Sequence, residues 1–174
     1  QSKRQKEKRQ MIENLKKGIM PIFEPGLSEM VIRNSKEGRL KFTHDNKEVI
    51  KHGNIIFICV GTPPKDNWEV ELKYIENVAL EIAKNIDSYK VIVHKSTVPV
   101  ETGNKVKEII KRNIKNDVEF DVVSNPEFLR EGTAIEDTMK PDRIVIGCDS
   151  ERAANTLKEL YKPIKAPLVI TDIE

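Results

Sequence analysis

The sequence predicts an α/β fold with a doubly wound, mostly parallel sheet. Three observations lead there. Short runs that are apolar on both faces recur along the chain, as strands buried between two helix layers must be. Segments of helical period fall between them. Proline, glycine and hydroxyl residues collect just after the apolar runs, where sheets of this kind bind ligands. The 174 residues suffice for one domain with a sizeable core.

The expected strands are Leu40–Thr43, Ile55–Val60, Lys90–His94, Glu119–Ser124, Arg143–Gly147 and Leu168–Thr171. A first helix, Gln5–Lys17, puts Met11, Ile12 and Leu15 on one side. Pro25 suits the first turn of a second helix running to Ser35, where its missing N–H is not needed, and Gly38 stops it. Asp45 can cap a short helix through Lys51. Glu71–Ile86 spaces Leu72, Ile75, Val78, Ala79, Ile82 and Ile86 at helical period. Glu101–Ile114 does the same with Val106, Ile109 and Ile110, and Ser150 can cap Glu151–Tyr161.

Composition excludes several classes of function. Apolar residues make up 38% and charged residues 33%, a globular balance, and a net charge of +2 gives no case for nucleic acid or an anionic membrane as partner. The basic run within Gln1–Lys17 reads as a solvated helix face. No apolar run approaches the roughly 20 residues that span a bilayer, so a cytoplasmic protein is expected. Cys59 and Cys148 lie in apolar β-rich runs without metal-ligand spacing, which reads as two buried, inert thiols in a reducing compartment. No metal site is expected.

Three strand ends carry unusual residues. Val60-Gly61-Thr62-Pro63-Pro64 joins a glycine that permits close backbone approach to a hydroxyl that can bond a ribose or phosphate oxygen, on a loop stiffened by proline. A plain turn is the alternative. In His94-Lys95-Ser96-Thr97-Val98-Pro99, two hydroxyls end a buried strand and can either cap a helix or orient a water or cofactor. His94 reads as packed or exposed rather than catalytic. Ser124-Asn125-Pro126-Glu127-Phe128-Leu129-Arg130-Glu131-Gly132 is the most informative stretch. Glu127 and Glu131 share a face if the segment is helical. Carboxylates there can act as a base or bind sugar hydroxyls, or simply enrich a first helical turn.

These segments together resemble the UDP-glucose/GDP-mannose dehydrogenase family. The stretches that carry the resemblance are IENLKKGIMPIFEPGLSEMV, GRLKFTHD, IIFICVGTPP, KSTVPVETG, SNPEFLREGTAIED and PDRIVIGCDSERA, in order along nearly all of the chain after Met11. The resemblance implies a Rossmann-like NAD-binding domain and an enzyme that oxidises the C6 alcohol of a nucleotide sugar to a carboxylate. Two hydrides pass to NAD, through a thiohemiacetal and a thioester on a cysteine. It implies cofactor contacts at Val60, Gly61, Thr62, Pro63, Thr97 and Glu131. Thr97 and Glu127 would hold and activate the water that hydrolyses the thioester. Glu127, Phe128, Leu129 and Arg130 would line the sugar site, largely through backbone groups. The match looks closest to the UDP-glucose branch, which forms UDP-glucuronate. GDP-mannose or other UDP-sugar dehydrogenases, and a non-catalytic nucleotide-sugar-binding remnant, are the alternatives. A homodimer is implied for the full-length enzyme.

The departures are equally definite. No GxGxxG turn occurs in the sequence. The family's catalytic cysteine, catalytic lysine and long central dimerisation helix match nothing here. Residues 1–174 therefore read as a partial NAD-binding domain lacking the first glycine-rich β-α unit, with the dimerisation and UDP-binding domains absent. The first strand of such a sheet lies at its centre, so the isolated chain is expected to have a weakened or rearranged fold, open to strand exchange or dimerisation.

Overall fold

A computed structural model describes residues 3–61, 72–95, 102–115 and 117–173. Its elements run α1 (Lys3–Lys16), α2 (Leu27–Lys36), α3 (Asn46–His52), β1 (Ile55–Ile58), α4 (Lys73–Asn85), β2 (Lys90–His94), α5 (Thr102–Asn113), β3 (Phe120–Ser124), α6 (Ala134–Met139), β4 (Ile144–Gly147), α7 (Glu151–Tyr161) and β5 (Leu168–Thr171). They form two compact units, Gln1–Asn46 with Phe128–Pro141, and Lys47–Glu127 with Asp142–Glu174. Among the described residues no helix is long and apolar enough to cross a membrane.

The second unit holds the five-stranded sheet, in the order β1-β2-β3-β4-β5. β1, β2 and β3 are parallel, as are β4 and β5. Side chains alternate across the sheet, so neighbouring residues of one strand enter different cores. Ile92 and Val122 meet α4 and α5 on one face, where the helices bury Ile75, Ala79, Ile82, Val106 and Ile110. Val91, Val93 and Val123 meet Ala153, Ala154 and Leu157 of α7 on the other. Each fully buried Ile, Val or Leu contributes about 1.5–3 kcal/mol relative to exposure, so both layers are needed. Ser150 caps α7 as expected: its hydroxyl accepts the Ala153 N–H at 3.2 Å.

The two parallel halves meet at one seam. β3 and β4 run antiparallel and share a single register pair, Ser124↔Gly147. Gly147 permits the approach, since a Cβ there would lie 2.7 Å from the Asp172 carbonyl oxygen and 3.3 Å from Ser124 Cβ. The next residue completes the seam. Asn125 is 1% exposed; its backbone N–H donates to the His94 carbonyl at 3.0 Å and its side-chain amide to the Val145 carbonyl at 2.7 Å.

Several expectations need correction. Leu40–Thr43 forms no ladder: no described strand lies beside it, and extended backbone without a partner is not a strand. β1 stops at Ile58, so Cys59 lies beyond the strand and is exposed; only Cys148 is buried. Pro25 lies outside α2, because Gly26, with φ 81°, takes the cap position. Gly38 does stop α2, at φ 74°, a conformation costly for other residues. Residues 125–130 are not helical, so Glu127 and Glu131 share no helical face. The helix comes later, as α6. β5 is exposed along its whole length rather than sandwiched. β1 occupies an edge of the sheet, so its outer side is unpaired by any described strand.

Two predictions follow from this packing. Asn125→Ala leaves the Val145 carbonyl buried without its donor and should cost about 2–3 kcal/mol in urea unfolding, against under about 0.5 for an exposed control such as Asn155→Ala. The second concerns His94, which is 4% exposed and whose two ring nitrogens have no hydrogen-bond partner among the described residues. Burial holds its pKa below the ordinary value. The unfolded chain therefore binds the proton first, and the contribution of neutral His94 is full above about pH 6.5 and lost as pH falls below it. Melting temperatures from pH 7.5 to 5.5 should fall less steeply in His94→Leu than in the unmodified chain.

Candidate functional site

Register determines which residues meet at the top of the sheet. Ile58 pairs with His94, and His94 with Ser124, so three parallel strands end level. The residues that follow them, Cys59 to Gly61, Lys95, and Asn125 to Glu127, are thereby brought to one edge. Two backbone bonds extend the ladder beyond the strands, from Lys95 N–H to the Ile58 carbonyl and from Asn125 N–H to the His94 carbonyl, both 3.0 Å.

Asn125 organises the side chains here as well as the seam. Its Oδ1 accepts from the Tyr161 hydroxyl at 2.5 Å and from Lys95 Nζ at 3.3 Å. The Lys95 ammonium is half-buried, and that burial pushes its pKa below the usual lysine range, opposed by the nearby Cys59 and Glu127. Burial raises the Cys59 thiol; Lys95 acts against the rise and Glu127 adds to it. The Tyr161 hydroxyl is raised, first by burial and then by Cys59. Cys59 is thus a protonated thiol at neutral pH and a poor nucleophile despite its exposure. Glu127 is a half-buried carboxylate within the field of a tethered ammonium, an arrangement that can hold a water or hydroxyl and take its proton.

Val60 is half-buried against the α4–α5 side of the core, and Gly61 is exposed. A Cβ on Gly61 would meet nothing within 4 Å among the described residues. Thr62, Pro63 and Thr97 lie outside the described residues.

The rest of the motif belongs to the first unit. Phe128, Leu129 and Arg130 are exposed, as is Glu131, which begins a turn. Their backbone is anchored at both ends. Asp137 accepts the Arg130 backbone N–H at 2.9 Å, its guanidinium at 2.7 and 3.2 Å, and the Thr133 hydroxyl at 3.0 Å. The Arg130 side chain, then its backbone N–H, hold the Asp137 carboxyl down at about 2. Glu24, at 9% exposure, accepts the Gly132 N–H at 2.9 Å and reaches the Ile135 N–H at 3.5 Å.

The sequence puts Glu127 just after a buried strand, as the structure has it, reads Lys95 only as snorkelling or structural, and gives no role to Asn125, Tyr161, Glu24 or Asp137. One signal was available. An asparagine between a buried strand and a proline has four hydrogen-bonding positions to satisfy and little freedom to satisfy them outside the fold.

The chain is similar to known proteins over nearly all its length. Residues 6–165 match the model of the UDP-glucose/GDP-mannose dehydrogenase family, NAD binding domain. UDP-glucose 6-dehydrogenase TuaD of Bacillus subtilis is 48% identical over 163 residues, which are 94% of this chain and 35% of that protein. A UDP-glucose 6-dehydrogenase of Rhizobium meliloti is also 48% identical, over 92% of this chain and 38% of its own. Among solved structures, a UDP-glucose dehydrogenase from Pyrobaculum islandicum superposes with a TM-score of 0.91 at 39% identity, covering 95% of this chain and 39% of that one. A GDP-mannose dehydrogenase from Pseudomonas aeruginosa, solved as a ternary complex, gives 0.90 at 36% identity, over 95% and 39%. The chain spans little more than a third of the length of these relatives. On the match of its motifs, its sheet and nearly all its length, the chain belongs to the UDP-glucose/GDP-mannose dehydrogenase family, within the NAD binding domain.

Proposed function

We propose that this chain supplies part of the NAD and sugar site of a UDP-glucose 6-dehydrogenase, which oxidises UDP-glucose to UDP-glucuronate. The observation that carries the reading is the 48% identity to two UDP-glucose 6-dehydrogenases over almost the whole chain.

The strand end at Val60 and Gly61 suits a cofactor, since a glycine there lets a ligand approach the backbone closely. Val60, Gly61, Thr62, Pro63 and Thr97 would hold NAD there, with Glu131 on the nicotinamide side. When bound, NAD accepts the hydride. No GxGxxG turn is present, so the usual glycine-rich pyrophosphate cradle is not among these residues.

Glu127 has the position and chemistry of a base for the hydrolytic half of the reaction. A carboxylate at this strand end can accept a proton from a bound water, and the Lys95 ammonium lies within its field. Thr97 would share that water. Phe128, Leu129 and Arg130 would contact the sugar, and their anchored backbone suits recognition through main-chain groups. The cysteine that carries the thioester would come from another part of the polypeptide. The raised thiol of Cys59 argues against its serving as that nucleophile.

The full-length enzyme would be a homodimer, and the open side of β1 is the place where the chain alone would exchange strands. Two free thiols fit the reducing cytoplasm.

The test is nucleotide-sugar-dependent NADH formation by the full-length polypeptide carrying this segment. UDP-glucose should be turned over with two NADH formed per sugar, and Glu127→Gln should lower kcat by about 10²–10⁴-fold with a small change in the KM for NAD. Preference for GDP-mannose, or UDP-glucose binding without turnover, would overturn the assignment.

A further inference from the structure

Glu24 lies far in sequence from the three strand-end motifs, in the stretch Pro21-Ile22-Phe23-Glu24-Pro25-Gly26 ahead of α2. It is nevertheless one of the few charged side chains buried in the described structure, at 9% exposure. A carboxylate taken out of water needs donors in return. Its donors are backbone groups 108 and 111 residues away, the N–H of Gly132 at 2.9 Å and the N–H of Ile135 at 3.5 Å.

These two amides need an outside acceptor. Gly132 has φ 83° in the turn before α6, and Ile135 is in the first turn of that helix. The cap residue Thr133 accepts no backbone N–H of the helix through its side chain; its hydroxyl donates to the Asp137 carboxylate instead. Glu24 therefore serves as the helix cap from a distant part of the chain. Asp137 holds the preceding Arg130 N–H from the other side. Two carboxylates thus fix the backbone on either side of Glu131, directly after Phe128 and Leu129.

We propose that Glu24 is a positioning residue for the sugar-contacting segment: its carboxylate, by accepting the Gly132 and Ile135 amides, sets the path of Phe128–Gly132. This rests on the reading of Phe128–Arg130 as part of the sugar site. The two oxygens are both used, one per amide, so glutamate is not replaceable by glutamine without loss. A glutamine keeps one acceptor and turns its own NH₂ toward the second N–H. Aspartate is one methylene too short to keep the 2.9 Å contact without backbone movement.

The experiment uses Glu24→Ala and Glu24→Gln in the full-length polypeptide. Hydrogen exchange of the segment 128–137 is measured beside the separate KM values for UDP-glucose and NAD. In Glu24→Ala the Gly132 and Ile135 amides should exchange at least about tenfold faster, and the KM for UDP-glucose should rise about tenfold while that for NAD stays within about twofold. Glu24→Gln should fall between it and the unmodified enzyme, and carries the same comparison if the alanine variant does not fold. Unchanged exchange would overturn the clamp itself. Faster exchange with an unchanged sugar KM would leave the clamp and overturn the sugar assignment of the segment. Both KM values rising together with a lowered melting temperature would mean a general structural role and would also overturn the proposal.

Discussion

The sheet depends on how β3 leaves it. One antiparallel pair, Ser124↔Gly147, is the whole ladder between the β1-β2-β3 half and the β4-β5 half. A single pair is too little to join two halves of a sheet, and the Asn125 side chain supplies what the backbone does not. Its amide bridges to β4 at Val145 while its backbone continues the ladder to β2. The remaining oxygen is free to take donors from Tyr161 and Lys95. One buried amide therefore joins the strands and orders the polar groups above them. Full satisfaction is what makes such a group stabilising rather than costly in a low-dielectric interior.

The chemistry of the strand ends follows from that anchoring. A flexible lysine at a surface would sample many positions and contribute little. Lys95 is tethered and half-buried, so its charge acts on Glu127 and Cys59 through a medium that screens weakly. Desolvation at the strand end raises the Cys59 thiol as well, although the residue is exposed, and leaves it protonated. Charge is handled differently in the first unit. There, carboxylates face backbone amides and a guanidinium, and their work is to fix a loop whose apolar side chains stay exposed.

Much of this was legible in the sequence, for local reasons. The runs that became β1 to β4 are apolar on both faces, and α4, α5 and α7 repeat their buried residues at helical period. Ser150 and Gly38 act through neighbours in the chain, so their roles could be read directly. What escaped was non-local. Leu40–Thr43 has strand-like composition, but pairing is decided by what lies beside it. Cys59 continues an apolar run, yet the ladder ends one residue earlier, and that changes it from buried to exposed. α6 is six residues long and its cap comes from Glu24, so no periodicity or local signature announced it. The site divides in the same way. The position of Glu127 after a strand could be read from the sequence, while Lys95, Asn125 and Tyr161 gained meaning only when register and α7 brought them together.

The separation of Glu24 from its donors also has a temporal side. Ribosomes extend chains at about 5–20 residues per second, so the 108 residues between Glu24 and Gly132 take about 5–20 seconds to appear. All of β1, β2 and β3 emerges within that interval. Until Gly132 follows them, the carboxylate has no donors to replace its water, and the stretch around it stays hydrated. The nascent polypeptide can assemble its parallel strands early, whereas the loop that presents Phe128 and Leu129 acquires its shape only after the last of its anchors has been made. Synthesis order thereby sets the exposed Phe128–Gly132 loop among the late products of folding.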